Sequence, residues 1–422
     1  MDYKTHIFPN GLKLLVVPTK NTNTATVLVM VGTGSKYETK DKNGISHFLE
    51  HMTFKGTEKR PGVLEISLEL DSIGAEYNAF TGKEYTGYYA KSAAENMDII
   101  MDVISDTFLN SKFDSQEIEK EKGVIIEEIN MYYDLPMRYV EELFEKLLYG
   151  DQPAGWQIAG EKNIITKFTQ NDLREYFNSH YVATDTIVSV AGDVDFEDVK
   201  KKIEKYFVNV RQGNKLEKQK VKETQSQPQK LIFYKDTDQT HFIVGFRTFD
   251  FFNEKTAALQ VLSSILNGGF SSRLWTEVRE KQGLAYYVRT SADGYTDSGY
   301  IATSAGVDNK RVIQAIKIIL DEYRKIKENL IDEKELEKAK KYIKGKTLIS
   351  LEQSDSLAEF YTEQWLLKNE TLTPEEKLAK IDKVTAKDIQ DLANEVLRPE
   401  NLNLSLVGPF KDEKEFEDVL NF

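Results

Sequence analysis

Two histidines stand four residues apart in His47-Phe48-Leu49-Glu50-His51, with a glutamate between them. On a helix advancing about 100° per residue, positions four apart lie about 40° from one another, so both imidazoles face the same way. Two imidazoles one turn apart can share a single Zn²⁺ at about 2.0–2.1 Å, which leaves Glu50 beside the ion. This spacing is the inverted form of a metallopeptidase signature in which the histidines bind metal and the carboxylate moves protons. Histidine pairs on helices are mostly solvated or structural, and the interposed carboxylate is what lifts this pair above that background. Phe48, Leu49 and Met52 read as the core stripe that pins the helix.

A catalytic zinc held by two histidines lacks one protein ligand, and a carboxylate from another helix is the expected completion. The segment Glu117–Met131 offers Glu121 and Glu128, seven apart and within about 20° of one helical face. Glu127 competes, but it points about 100° away, on the side of Lys120, which suits a solvated face. Glu128 is therefore the expected ligand and Glu121 a neighbour able to hydrogen-bond one.

The rest of the composition narrows the alternatives. Basic residues number 56 against 69 acidic, a net charge of −13, which argues against nucleic acid or anionic membrane as a partner. There is no cysteine, so thiolate metal sites, disulfides and cysteine nucleophiles are excluded, and five histidines are the whole imidazole supply. Of these only His241 lies in the second half, so a second site of this kind cannot be built there. The longest apolar run near the start, Leu14 to Val17, is far too short for an export signal, and a cytoplasmic location in a bacterium is the expectation.

The elements that must position the site follow from patterning. A hairpin is expected around Asn10-Gly11 as a type I′ turn, then a strand at 24–31, helices over 44–54 and 63–73, a second hairpin flanking Gly82-Lys83, and helices at 95–109, 114–133 and 138–148. A strand at 186–190 and a helix at 196–207 complete an α+β unit. Between Val210 and Lys230 the composition turns polar, which marks a linker. The element order then restarts, with strands at 230–234, 241–246, 284–291, 299–305 and 402–407 among helices. The expected fold is α+β, with two homologous domains of mixed or antiparallel sheet flanked by helices: 1–210 metal-binding and catalytic, 211–229 linker, and 230–422 of similar fold, without metal and substrate-binding.

The chain resembles the pitrilysin–insulysin family of zinc peptidases, nearest to the short-subunit branch that holds the mitochondrial processing peptidase beta subunit and bacterial relatives. The likeness is carried by the runs Gly44 to Thr57, Ile73 to Thr81, Glu121 to Ile129 and Ser271 to Tyr286. It implies one zinc per chain on His47, His51 and Glu128, Glu50 as general base and Glu121 behind the ligands. It implies further that Asn78, Ala79 and Phe80 lie on an edge strand that receives the substrate backbone, and that Arg279 and Tyr286 grip the substrate and stabilise the oxyanion. The implied activity is endopeptidase action on peptides or unfolded segments inside a chamber of which this chain forms half. A homodimer is the expected assembly, with a heterodimer and a non-catalytic, partner-dependent subunit as the alternatives.

Overall fold

Leu14 to Val17 and Val27 to Met30 are apolar at consecutive rather than alternate positions, the pattern of strands covered on both faces. They form the centre of a six-stranded sheet in the computed structural model, which describes residues 2–20 and 22–422. Its strands are β1 (Lys4–Ile7), β2 (Lys13–Pro18), β3 (Thr24–Val31), β4 (Glu76–Thr81), β5 (Thr86–Ala93) and β6 (Thr186–Gly192). They lie in the order β1-β2-β6-β3-β5-β4, with β2 and β6 parallel and the other pairs antiparallel. The helices α1 (Ile45–Thr53), α2 (Val63–Asp71), α3 (Met97–Asn110) and α4 (Ser115–Asp134) follow in chain order. Phe48, Leu49 and Met52 of α1 and Ile100 and Ile104 of α3 pack on Val27 and Val29 on one side of this sheet. On the other side, Leu15, Leu28, Met30 and Ile187 meet Leu357, Tyr361 and Trp365 of the helix Ser354–Lys368.

A second sheet is built from β7 (Gln229–Tyr234), β8 (Gln239–Arg247), β9 (Ala285–Gly294), β10 (Gly299–Asp308) and β11 (Leu402–Gly408), in the order β7-β11-β8-β10-β9. Helices Thr256–Asn267 and Val312–Glu328 cover one face. Val140, Phe144 and Leu148 of α5 (Pro136–Tyr149) cover the other. Counted from β2 and from β7, both sheets read first, last, second, fourth, third strand, with the first and last parallel. The repeat that the sequence shows only as element order is thus a repeat of topology.

The compact units differ from the sequence division at two helices. The first comprises residues through Asn130 with Trp156–Gln219 and Ile349–Glu375; the second comprises Met131–Gly155, Lys220–Leu348 and Glu376–Phe422. The reason is burial: each sheet is apolar on both faces, and each receives the cover for its second face from a helix encoded in the other half of the chain. The segment 211–229 has no regular structure, yet it is no loose tether. In the first unit Ala183 N donates to Arg211 O (2.7 Å) and Lys215 pairs with buried Asp185 (2.8 Å). In the second, Gln225 Nε2 donates to Leu402 O (3.0 Å).

The first hairpin is also corrected. Gly11 has φ 89° and Asn10 does not take a positive φ, so the turn is not type I′. The turn that forms is shifted back by one residue to the central pair Pro9-Asn10, because Pro9, with φ locked near −65°, suits the first central position of an ordinary turn. The chain instead closes with Gly11 N donating to Phe8 O at 2.8 Å.

Candidate metal centre

Helix α1 begins at Gly44, whose φ of 96° and tight surroundings demand glycine: a Cβ there would lie 2.8 Å from Ala159 O and 2.7 Å from Ile165 Cδ1. Glycine offers no side-chain cap, and Glu38 supplies one from outside. Its buried carboxyl accepts from Gly44 N (2.8 Å), Ser46 N (2.9 Å) and Asn43 Nδ2 (3.0 Å), satisfying donors at the helix N-terminus. Burial pushes the Glu38 carboxyl up to about 7, against the opposing pull of those donors. With the core stripe fully buried and Ser46 Oγ bonded to Tyr176 (3.0 Å), the rotation of α1 is fixed.

That rotation brings three ligand atoms together. His47 Nε2 lies 3.3 Å from His51 Nε2, and Glu128 Oε2 lies 3.5 Å and 3.4 Å from the two nitrogens. A tetrahedral ion with bonds of roughly 2.0–2.1 Å has ligand–ligand edges of about 3.3–3.4 Å. Two imidazoles and a carboxylate at this separation fit a zinc site with one open position. Among the described residues, no other group of three histidine or acidic side chains is placed to hold an ion. Glu127 is exposed on α4, as a solvated face requires.

Behind the ligands, His51 Nδ1 donates to Glu121 Oε1 at 2.8 Å, which leaves the Nε2 lone pair for a metal. Lys55 pairs with the other oxygen of Glu121 at 2.6 Å. Glu121 is buried, and although burial favours its neutral form, the bonds to His51 and Lys55 hold its carboxyl below the usual range. Burial pulls the two histidines down as well. For His51 the carboxylates Glu121 and Glu128 outweigh it and raise the imidazole to about 9, whereas His47, beside that charge, drops to about 4. Glu50, half-buried on the same helix, has its carboxyl raised by burial.

Asn78 and Ala79 lie on β4, which is an edge of the first sheet. Ala79 N donates to the Asn78 side chain at 2.9 Å, so the strand's outward N–H is occupied by its own neighbour. Phe80 does not share the face of Ala79. Its ring packs on the opposite side against Tyr85, over Gly87 where a Cβ would come within 2.2 Å, because side chains alternate along a strand. Its ring therefore does not face the side of the strand that carries Ala79.

Arg279 and Tyr286 are brought together in the second unit. Arg279 sits in a π-helical turn, Trp275–Lys281, with its guanidinium 4.2 Å from the Trp275 ring centroid and 5.1 Å from that of Tyr286. Its Nη1 donates to Tyr286 O, and the Tyr286 side chain is 77% exposed. His241 is structural: Nδ1 meets the Tyr287 hydroxyl at 2.9 Å across Gly306.

Sequence reasoning missed Lys55 and Glu38. Lys55, four residues after His51 and just past the end of α1, was signalled only by its closeness in sequence; Glu38 was signalled only by a helix that starts at a glycine and so needs a cap from elsewhere.

Comparison with known proteins supplies an independent view. The family model described as Insulinase (Peptidase family M16) matches residues 14–162, and that described as Peptidase M16 inactive domain matches 167–343. A relative from Bacillus subtilis named an uncharacterized zinc protease is 35% identical over 409 residues, 96% of this chain and 98% of its own. One so named from Streptomyces coelicolor is 33% identical, covering 96% of this chain and 89% of its own. The fold matches the crystal structure of a protease from Helicobacter pylori with a TM-score of 0.91 at 24% identity, over 97% of this chain and 99% of that one.

Proposed function

The chain belongs to the insulinase family, peptidase family M16, a family of zinc proteases, and from that premise we propose that it is a zinc-dependent endopeptidase. The observation that carries the proposal is the triangle of His47, His51 and Glu128 atoms at 3.3–3.5 Å, with Glu50 on the same helix. Zinc on His47, His51 and Glu128 would supply Lewis acidity for activating water and polarising a scissile carbonyl. Glu50, whose carboxyl is raised by burial, takes the proton of the attacking water and returns it to the departing amine. Glu121 holds His51 in the binding tautomer. The edge strand β4 offers main-chain groups to an extended peptide, with the Ala79 N–H exchanging the Asn78 side chain for a substrate carbonyl, which selects unfolded segments with little regard to side chains. Arg279 and Tyr286 bind the substrate carbonyl whose oxygen takes up charge.

The proposal includes one zinc per chain, a chamber that closes around the peptide, and a homodimer in which the first unit of one copy works with the second unit of the other. What supports the dimer is that one chain carries both the metal group and the Arg279–Tyr286 stack. Sedimentation at assay concentrations decides it, and an active monomer rejects it.

The activity is tested by zinc analysis of wild type and Glu50→Gln beside cleavage of an unstructured peptide with and without chelator. The expected result is chelator-sensitive cleavage, and an E50Q variant that keeps its zinc and loses about 10²–10⁴ in kcat. A zinc-loaded wild type that cleaves no unfolded polypeptide rejects the catalytic reading in favour of a non-catalytic subunit.

A further inference from the structure

Side chains alternate along β4. Ala79 packs on the α1 side with Phe48, Leu49 and Met52, and Phe80 packs on the opposite side, so Thr81 returns to the α1 side. Its place is fixed by pairing with Thr86 and by Gly82 N donating to Tyr85 O at 2.8 Å. The Thr81 hydroxyl oxygen is buried and closes no hydrogen bond of good geometry among the described residues. A buried hydroxyl left open costs free energy unless a partner completes it. The carboxylate that faces it from α1 is Glu50.

We infer that Thr81 is a positioning residue for Glu50: its hydroxyl donates to one carboxylate oxygen and so holds the other toward the metal group. The inference rests on the peptidase reading and deepens it. A general base needs one oxygen free for the proton it accepts, and a single-proton donor ties one oxygen only. Bonds of this kind are often long in the unloaded enzyme and tighten around substrate.

Thr81→Val removes the hydroxyl and Thr81→Ser keeps it. The expected result for T81V is a kcat lowered about tenfold or more, the scale of one hydrogen bond to a charged group, with KM and zinc content unchanged. T81S restores kcat, and in the E50Q background T81V has no further effect. A Thr81 that serves the peptide-binding strand instead raises KM in T81V, and that result, or an unchanged kcat, overturns the inference. A second measurement is independent of turnover: the ¹³C resonance of the Glu50 carboxyl in the metal-free chain moves in T81V and returns in T81S. A wild type that cleaves nothing rejects the peptidase reading alone, while an unmoved resonance rejects the role of Thr81 alone.

Discussion

The helix that follows the second core strand differs sharply between the two units. After β3 the chain enters α1, with His47, Glu50 and His51. After β8 it enters Thr256–Asn267, which has no ionisable side chain and buries Ala258, Leu259, Val261, Leu262, Ile265 and Leu266. Strand order and the parallel pair are the same in both. The shared frame therefore does not require the chemistry; the metal group is a local feature placed on it. Placing it demanded compensation. An imidazole as buried as His47, 8% exposed, is tolerated because Glu128 and His51 face it, Glu121 and Lys55 stand behind His51, and Glu38 caps the helix. The second unit has no such set and fills the same position with hydrocarbon.

The comparison is broken most completely by Glu128→Gln, which should leave the first unit like the second: folded by circular dichroism, without zinc by mass spectrometry, and without cleavage. The mirror experiment is Leu262→Ala, in the core of the second unit. It should cost about 2–5 kcal/mol in chemical denaturation, the scale of a buried leucine truncation, with zinc stoichiometry unchanged. Loss of zinc in L262A with the fold intact would show that the units are not separable in this way.

Glu38 gives a pH signature of the cap. Its carboxyl is held near 7 in the fold against an ordinary 4.5, so the folded chain binds that proton more tightly than the unfolded one. Its contribution is full below the unfolded value and is lost as pH rises through the folded one. Relative to Glu38→Gln, wild type should lose up to about 3 kcal/mol between pH 4.5 and 8 in urea melts, and a flat difference contradicts the assignment. The smallest effect belongs to Glu121→Gln, expected to weaken zinc affinity about 10–100-fold in competition with a chelating dye, with cleavage intact at saturating zinc.

Much of this asymmetry was legible in the sequence. Helical spacing put His47 and His51 on one side, and the same arithmetic separated Glu128 from the exposed Glu127. Topology was legible as element order. Other features were set by tertiary contacts that periodicity does not register. Whether α5 and Ser354–Lys368 cover the sheet of their own half or the other depends on which face remains open. The polar composition of 211–229 marks a linker, and only the fold reveals that Lys215 meets Asp185. Phe80 was carried along by its neighbours, although strand alternation places its ring opposite Ala79.

The proposed function requires a single metal ion in the first unit and none in the second. Anomalous scattering at the zinc edge from crystals of the wild-type chain tests it most directly. One peak per chain is expected, within bonding distance of His47 Nε2, His51 Nε2 and a Glu128 carboxylate oxygen; no peak there, or a peak among residues of the second unit, rules the metal centre out.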